Sequence, residues 1–508
     1  MTEVVVDGRT LSYGDVVAVA HHGAQVALAD GVLPRLMGER TLVDDVVDRQ
    51  VPAYGLTTGL GARSSYALPR AELDAFSVRT VRGRANAVGD PLPTPVVRAA
   101  LLARVNGLAG GGSGVRPQIV RLLVDLLNAR VHPVIPEVGS IGASDLCQMA
   151  HVGLVVIGEG SAERDGELLD GATALRRAGL TPARLGPKDG HVLCSASPLA
   201  AGTGALALHE AGVLLALAQA VTALTYEGFR ANTSPLDPRV LALRPAPGQS
   251  RAASELLTLL DGGELSDPRN ARRVQDPVSL RCAAQVHGGG YAALEFADAA
   301  LMPELNGCGD NPVVLPGTGE ILSSGNFHTP GLALAYDTLA LALTQTAAIS
   351  AERTRRLLDP AVSGLSANLS PYGPERSGFA PLVKTAQALV AEIRFLAGPV
   401  CIDPRQGADA VEDDSTNAAF GARRLTVLLG RLRQLLAVEA VVAAQAVDLA
   451  APAALGRGPE FLHRAIRKLV PTLTDDRPHG VDVETVSRDI LGSDDVRSTL
   501  NAWAGEAT

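Results

Sequence analysis

Several features that mark particular protein classes are scarce in this chain of 508 residues. The five cysteines are odd in number and widely scattered, and none forms a Cys-x-x-Cys pair. This pattern argues against a disulfide framework and a zinc ribbon, and it fits a reducing cytosol. Aromatic residues make up only 3% of the chain, whereas alanine and leucine are abundant. Such a composition favours long packed helices over sheet.

Blocks of like charge and uninterrupted apolar runs are also missing. The net charge of −9 is spread along the chain, so we expect no nucleic-acid partner and no anionic membrane partner. The N-terminus does not resemble a signal peptide. The most apolar segments, around 199–225, 331–350 and 425–450, are interrupted by charged residues, which makes them too polar for bilayer spans. We therefore predict a cytoplasmic protein with no membrane association.

Recognisable metal and phosphate motifs are absent as well. The ten histidines form no His-Glu-x-x-His set, so we predict no metal. The glycine-rich segment at 107–117 follows no strand and precedes no Lys-Ser/Thr pair, which favours a plain loop between two helices within 94–130 over a phosphate loop.

Helical periodicity is the strongest positive signal. The stretches 199–228, 329–358 and 420–449 carry apolar residues at three- and four-residue spacing, which predicts the long helices of a bundle. The connections at 306–331 and 398–417 are long for a helical protein, and such loops are usually functional. We treat residues 1–508 as one intertwined unit with three regions, 1–198, 199–450 and 451–508.

The most informative motif is GSIGASDLCQMAH at 139–151. Considered alone, it is a turn bounded by glycines and followed by an apolar helix that Ser144 or Asp145 would cap. Together with other segments in the same order, it resembles the histidine and phenylalanine ammonia-lyase family, and histidine ammonia-lyase in particular. Those segments are YGLTTGLGA at 54–62, RANAVGDPLP at 84–93, HVGLVVIGEG at 151–160, PKDGHVLCSAS at 187–197, RRVQDPVSLRCAAQVHG at 272–288, GDNPVV at 309–314, SSGNFH at 323–328, VEDDS at 411–415 and LVPTLTDDRPHGVDVETV at 469–486.

The resemblance implies an all-α fold, the long central helical bundle of the ammonia-lyase (fumarase/aspartase-like) superfamily. It also implies a homotetramer in which each site draws on three subunits. Enzymes of this family remove the α-amino group of an amino acid, or move it as 2,3-aminomutases. Since the β C–H bond is weakly acidic and the amine leaves poorly, these enzymes use a base and an electrophile. The electrophile is a methylideneimidazolone (MIO) made by cyclising Ala-Ser-Gly.

Site residues follow from the resemblance, position by position. Tyr54 matches the base, although a buried tyrosine with a satisfied hydroxyl is the alternative. A phenol needs cationic neighbours or helix N-termini to act as a base at neutral pH. Arg281 matches the clamp for the substrate carboxylate, a task suited to its paired donors. Gln275 matches a residue near the electrophile, and Asn311, Phe327 and Glu412 match residues of the pocket. Glu412 lies in an acidic run, so the alternative is that it is a solvated carboxylate on a loop.

Three departures from the family pattern concern the electrophile, which here would come from Ala143, Ser144 and Asp145. The cyclising glycine is missing, so Asp145 would have to supply the ring nitrogen, and its side chain adds crowding and charge. Ser195 replaces an asparagine and Val278 a tyrosine that stand beside the ring in the family.

A fourth departure is Arg84, which stands where the family selects the substrate side chain. A buried guanidinium requires an anion or several acceptors. We therefore expect a substrate with a polar or acidic side chain, or else an ion pair between Arg84 and a protein carboxylate such as Glu412.

These observations leave three hypotheses for the function. The preferred one is an ammonia-lyase or aminomutase for a small, polar α-amino acid, with Tyr54 as base and a self-made imidazolone. The second is a ring-free lyase, isomerase or cyclase that uses Tyr54 and Arg281 on a carboxylate-bearing substrate. The third is a non-catalytic ligand-binding homologue.

Overall fold

The computed structural model of the chain describes residues 3–402 and 412–506. They form two compact units. The first comprises the described residues of Met1–His209, Asp298–Tyr336 and Pro399–Arg423, and the second those of Glu210–Ala297, Asp337–Gly398 and Arg424–Thr508. The regional boundaries at 198 and 450 stay a prediction.

Helices dominate both units, and the all-α fold class is confirmed. In chain order the α-helices are α1 (Tyr13–Ala20), α2 (Val32–Asp48), α3 (Leu73–Arg84), α4 (Thr94–Gly110), α5 (Pro117–Asn128), α6 (Leu146–Val156), α7 (Gly171–Arg177), α8 (Asp189–Cys194), α9 (Pro198–Phe229), α10 (Pro238–Ala242), α11 (Gln249–Leu260), α12 (Val278–Arg281), α13 (Ala283–Leu305), α14 (Pro330–Leu358), α15 (Pro360–Ser363), α16 (Ala380–Leu396), α17 (Ala418–Ala450), α18 (Arg457–Leu469), α19 (His479–Thr485) and α20 (Asp494–Glu506). A π-helical turn follows α19 at Val486–Ile490.

The strands are short and form small ribbons. They are β1 (Glu3–Val6), β2 (Gln25–Leu28), β3 (Val88–Pro91), β4 (His132–Pro133), β5 (Pro136–Val138), β6 (Ser161–Arg164), β7 (Glu167–Asp170), β8 (Val313–Leu315) and β9 (Glu320–Leu322). Strands β1 and β2 pair in parallel, and the pairs β3–β5, β4–β6, β6–β7 and β8–β9 are antiparallel.

The periodicity of the sequence located the long helices correctly. The stretches predicted at 199–228, 329–358 and 420–449 are α9, α14 and α17. The predicted helix–loop–helix within 94–130 is α4 followed by α5. By length and composition alone, Asp189–Phe229 and Pro330–Leu358 could each span a membrane, but 78% and 56% of their most apolar windows are buried inside the protein. Buried core helices of a helical bundle have the same length and apolar composition.

Buried charge joins the long helices in the second unit. Arg353 of α14 and Glu439 of α17 are both fully buried and form an ion pair of 2.6 Å. Thr225 of α9 donates a hydrogen bond of 2.8 Å to the same carboxylate. A buried pair of this kind requires such additional hydrogen bonds.

Three helices of the first unit carry the candidate site at their ends. Arg84 ends α3, Asp145 precedes α6 and Ser195 follows α8. These helices pack against one another, with Val81 and Leu193 buried. The packing brings the three chain positions into one neighbourhood.

Candidate active site

The turn that carries Ala143, Ser144 and Asp145 is held by two distant segments, at 416–417 and at 328. The Asn417 amide donates to the Ile141 carbonyl at 2.9 Å, and the Thr416 hydroxyl donates to the Gly142 carbonyl at 3.2 Å. Residue 142 must be glycine here, because its φ is +88° and a Cβ would lie 2.0 Å from the Thr416 hydroxyl oxygen. Ala143 pairs with His328 through a backbone bridge.

Asp145 is fully buried and connects this turn to the start of α9. One carboxylate oxygen accepts hydrogen bonds from the Leu199 and Ala200 amides at 2.9 and 3.0 Å. The other accepts from the Ser140 hydroxyl at 2.7 Å. Burial raises the pKa of this carboxyl, and the three donors oppose that shift. Because the amides at a helix N-terminus have no partners within the helix, Asp145 acts as a cap in trans for α9.

The arrangement of Asp145 does not fit an imidazolone. Ring closure would join the Asp145 amide nitrogen to the Ala143 carbonyl carbon, with loss of the amide hydrogen. That hydrogen is donated to the Ala196 carbonyl at 2.8 Å, and the carboxylate beside it is fixed by its three donors. Ser144 has a left-handed φ of +64°, so the turn already stands in a conformation that side chains rarely adopt. Cyclisation would remove the hydrogen bond from Asp145 to Ala196 and would have to accommodate a carboxylate held in place by three donors.

Tyr54 lies half-buried in a loop before α3. Its hydroxyl oxygen accepts a hydrogen bond from the Gly61 amide at 3.1 Å. The His191 ring meets the Tyr54 ring edge-on, with centroids 5.9 Å apart. Residue 55 has a φ of +63°, and a Cβ there would lie 2.5 Å from His191 Nδ1. Glycine therefore lets the imidazole rest on the backbone next to Tyr54.

Arg84 and Glu412 belong to the same neighbourhood. Burial raises the pKa of the Cys147 thiol, the Arg84 charge opposes that shift, and Glu412 adds to it. Burial also lowers the pKa of His191 to about 3, with help from the charges of Lys188 and Arg84. Within residues 3–402 and 412–506, Arg84 forms no salt bridge. The alternative of an Arg84–Glu412 ion pair therefore has no support from the described geometry.

Other sequence-predicted residues support the loops around the turn. The Ser195 hydroxyl donates to the His191 carbonyl at 2.9 Å, so it caps α8. Asn311 accepts from the Ser324 amide at 2.8 Å, and the Phe327 carbonyl accepts from the Ser197 hydroxyl at 3.1 Å. Ser195 and Phe327 adjoin Ala196 and His328, which bond to the turn, and Asn311 holds the loop that leads to His328. The roles of these residues toward a substrate stay predictions.

Gln275 and Arg281 lie in the second unit, on the segment that ends in α12. Asp276 accepts from the Asn232 amide at 2.6 Å, and the Tyr226 hydroxyl donates to the Leu280 carbonyl at 2.6 Å. The Gln275 side chain is exposed and that of Arg281 is half-buried. Arg281 forms no ion pair with any described residue, which leaves its guanidinium available for a carboxylate. Val278 is 57% exposed.

A cavity of about 390 Å³ lies behind the turn in the first unit. Arg104, Ser197, Glu304, Cys308 and His328 are among its lining residues. Burial, together with the Asp145 charge, raises the pKa of Glu304 to about 7. In the part of the chain that the structure describes, no group of three or more His, Cys, Asp or Glu side chains could hold a metal ion.

Sequence reasoning missed His191 as a site residue. It stands inside the quoted segment PKDGHVLCSAS, between Lys188 and Ser195. A histidine inside a quoted family motif was the available signal, but its contact with Tyr54 depends on the fold.

Comparison with known proteins agrees with this geometry. The family model for aromatic amino acid lyase matches residues 11–468. Histidine ammonia-lyases from Treponema denticola and Anaeromyxobacter dehalogenans are each 40% identical, over 93% and 96% of this chain and 94% and 98% of theirs.

Solved structures give the same result. The ergothioneine-degrading enzyme ergothionase from Treponema denticola, in complex with desmethyl-ergothioneine sulfonic acid, superposes with a TM-score of 0.92 at 30% identity, covering 98% of this chain and 99% of that one. Tyrosine aminomutase from Streptomyces globisporus superposes with a TM-score of 0.92 at 32% identity, covering 100% and 99%. The chain therefore belongs to the aromatic amino acid lyase family, whose enzymes are carbon–nitrogen lyases and aminomutases.

Proposed function

We propose that this protein is a carbon–nitrogen lyase that removes the α-nitrogen of an amino-acid substrate by β-elimination without an imidazolone. Membership of the family supports cleavage of the carbon–nitrogen bond. The observation that carries the ring-free mechanism is Asp145, whose amide hydrogen and carboxylate are both engaged in holding the turn and α9. The identity with histidine ammonia-lyases favours a second candidate, an ammonia-lyase or aminomutase with an Asp-closed ring.

Tyr54 is the proposed base. Its hydroxyl oxygen is held by the Gly61 amide at 3.1 Å. The phenolate removes a proton from the β-carbon, the electron pair of that C–H bond becomes the C=C bond, and the nitrogen leaves with the electrons of the C–N bond. Arg281 binds the substrate carboxylate through its paired donors.

A ring-free mechanism restricts the nitrogen that can leave. A primary ammonium group carries N–H protons that are far more acidic than the β C–H, so a base reacts with those first. A fully alkylated ammonium group has no N–H proton and leaves as a neutral amine. We therefore infer that the substrate carries an alkylated α-ammonium group. One of the similar structures is that of an enzyme named ergothionase, which makes a betaine substrate a reasonable first test.

Arg84 is the proposed selectivity residue. Its guanidinium is half-buried and has no carboxylate partner among the described residues. A side chain of the substrate that is polar or acidic would compensate this charge, whereas a phenyl group would not. Glu412 lies close enough to influence Cys147, as Arg84 does, and stays a predicted pocket residue.

We also infer that the protein is cytoplasmic and forms a homotetramer in which each active site draws on several subunits. The long helices expose large apolar side chains: Leu334 and Leu341 of α14 are 50% and 48% exposed, and Phe420 and Val427 of α17 are 45% and 48% exposed. Exposed apolar faces on long helices are typical of assembling subunits. Light scattering coupled to size exclusion measures the mass, and a monomer would contradict the inference.

Two measurements test the mechanism together. A peptide mass spectrum across residues 139–151 reports whether two water molecules have been lost, and we expect an unmodified mass. A turnover assay then compares histidine, phenylalanine and the Nα-trimethyl betaine of histidine by the absorbance of the unsaturated acid and by release of amine. We expect turnover of the betaine and not of the primary amino acids. Loss of two waters, or ammonia release from a primary amino acid, would overturn the ring-free mechanism in favour of the second candidate.

A further inference from the structure

We infer that His191 contacts the substrate as a hydrogen-bond donor and that, together with Arg84, it selects a β-substituent bearing an acceptor atom or a negative charge. This inference rests on the proposed function, because it assigns a role within the same site. It adds a residue that the family resemblance did not indicate.

The two ring nitrogens of His191 have different surroundings. Nδ1 is buried without a hydrogen-bond partner, and it rests against the Cα side of Gly55. Nε2 is not among the buried unpartnered atoms, and no described residue hydrogen-bonds to it. Since the side chain is partly exposed, Nε2 is the nitrogen that an incoming molecule can reach.

The surroundings of Nδ1 indicate which nitrogen carries the proton. An N–H group at Nδ1 would be buried against a glycine Cα with no acceptor, which costs free energy. A lone pair at Nδ1 faces C–H groups instead, which is a tolerated weak contact. The neutral ring therefore carries its hydrogen on Nε2, directed to the accessible side.

Burial and the charges around His191 lower its pKa and keep the ring neutral. Lys188, Arg84 and Arg104 disfavour the imidazolium, and Asp310 only partly opposes them. Asp310 is itself paired with Arg104 at 2.8 Å. His191 Nε2 and Arg84, which can only donate, both present hydrogen-bond donors in this neighbourhood, which also contains Glu412. Acceptors such as a carboxylate, a sulfonate or a heteroaromatic nitrogen complement them, and a phenyl group does not.

Binding of unsaturated acids tests this inference separately from turnover. The probes are fumarate, urocanate and cinnamate, which carry a carboxylate, an imidazole and a phenyl group, and isothermal titration calorimetry measures their Kd values. We expect the wild-type protein to bind fumarate or urocanate at least tenfold more tightly than cinnamate. The His191→Leu variant should lose about tenfold in affinity for the preferred acid, as expected for one hydrogen bond to a charged or strongly polar group. Its affinity for cinnamate should not fall.

Two further variants keep the test decisive. His191→Asn retains a donor of similar reach and should keep part of the preference. His151→Leu is the matched control, because His151 also has a ring nitrogen that is buried without a partner and lies in the same unit; it should leave the preference unchanged. Circular dichroism checks that each variant is folded.

The possible results separate the two proposals. An unchanged preference in folded His191→Leu protein, or no binding of any of the three acids by the wild type, would overturn the role of His191. A retained preference for acceptor-bearing acids together with no elimination of any tested substrate would count against the proposed function while leaving the donor role of His191 in place.

Discussion

Replacement of Asp145 by alanine is expected to destabilise the protein strongly, because the substitution removes the cap of α9. The amides of Leu199 and Ala200, both at most 3% exposed, lose their acceptor. Each buried donor without an acceptor costs about 1–3 kcal/mol, so the two amides imply about 2–6 kcal/mol. Removal of the carboxylate also removes the cost of burying it, so we expect about 2–4 kcal/mol.

The assay is chemical denaturation at fixed protein concentration, followed by circular dichroism. Midpoints should decrease in the order wild type, Asp145→Asn, Asp145→Ala. Asparagine keeps one acceptor oxygen for the two amides, so Asp145→Asn should lose only about 1 kcal/mol of the free energy of unfolding. The exposed residue Asp90 serves as control, and Asp90→Ala should stay within about 0.5 kcal/mol of the wild type.

A near-neutral Asp145→Ala variant would refute this reasoning. In that case the Asp145 carboxylate would not hold α9, and the argument against the imidazolone would rest on the Asp145 amide alone.

Three further predictions address the site. Insertion of a glycine between Ser144 and Asp145 restores Ala-Ser-Gly-Asp, and we expect the intact mass to show loss of two waters; an unmodified, folded insertion variant would mean that the surroundings of the turn prevent the ring. Tyr54→Phe should lower kcat by about 10²–10⁴-fold with little change in KM, and steady-state kinetics with an unchanged kcat would exclude Tyr54 as the base. The raised pKa of Glu304, about 7 against an ordinary 4.5, means that its favourable contribution is present below pH 4.5 and lost as the pH rises through 7. The free energy of unfolding of the wild type relative to Glu304→Gln should therefore fall between pH 5 and pH 8, by at most about 3 kcal/mol, and a pH-independent difference would contradict the assignment.

Local patterns in the sequence were sufficient for the helices and the family. Periodic apolar residues placed α9, α14 and α17 within two residues of their observed ends, because helical periodicity is a local property. The order of motifs indicated the family, which the comparisons confirm. The missing glycine at Ser144-Asp145 was also visible without a structure, and so was the doubt that it casts on the electrophile.

Tertiary structure decided which groups Asp145 and His191 contact. A sequence pattern does not reveal which carbonyl receives the Asp145 amide hydrogen, because Ala196 is 51 positions away and meets the turn only after α6 and α8 have packed. Likewise, His191 meets Tyr54 across 137 positions of chain, at a glycine whose missing side chain leaves room for the ring. Hydrogen bonds and close contacts between distant segments depend on packing, so the sequence by itself determined the helices and the family, while only the fold determined how the atoms of the site are engaged.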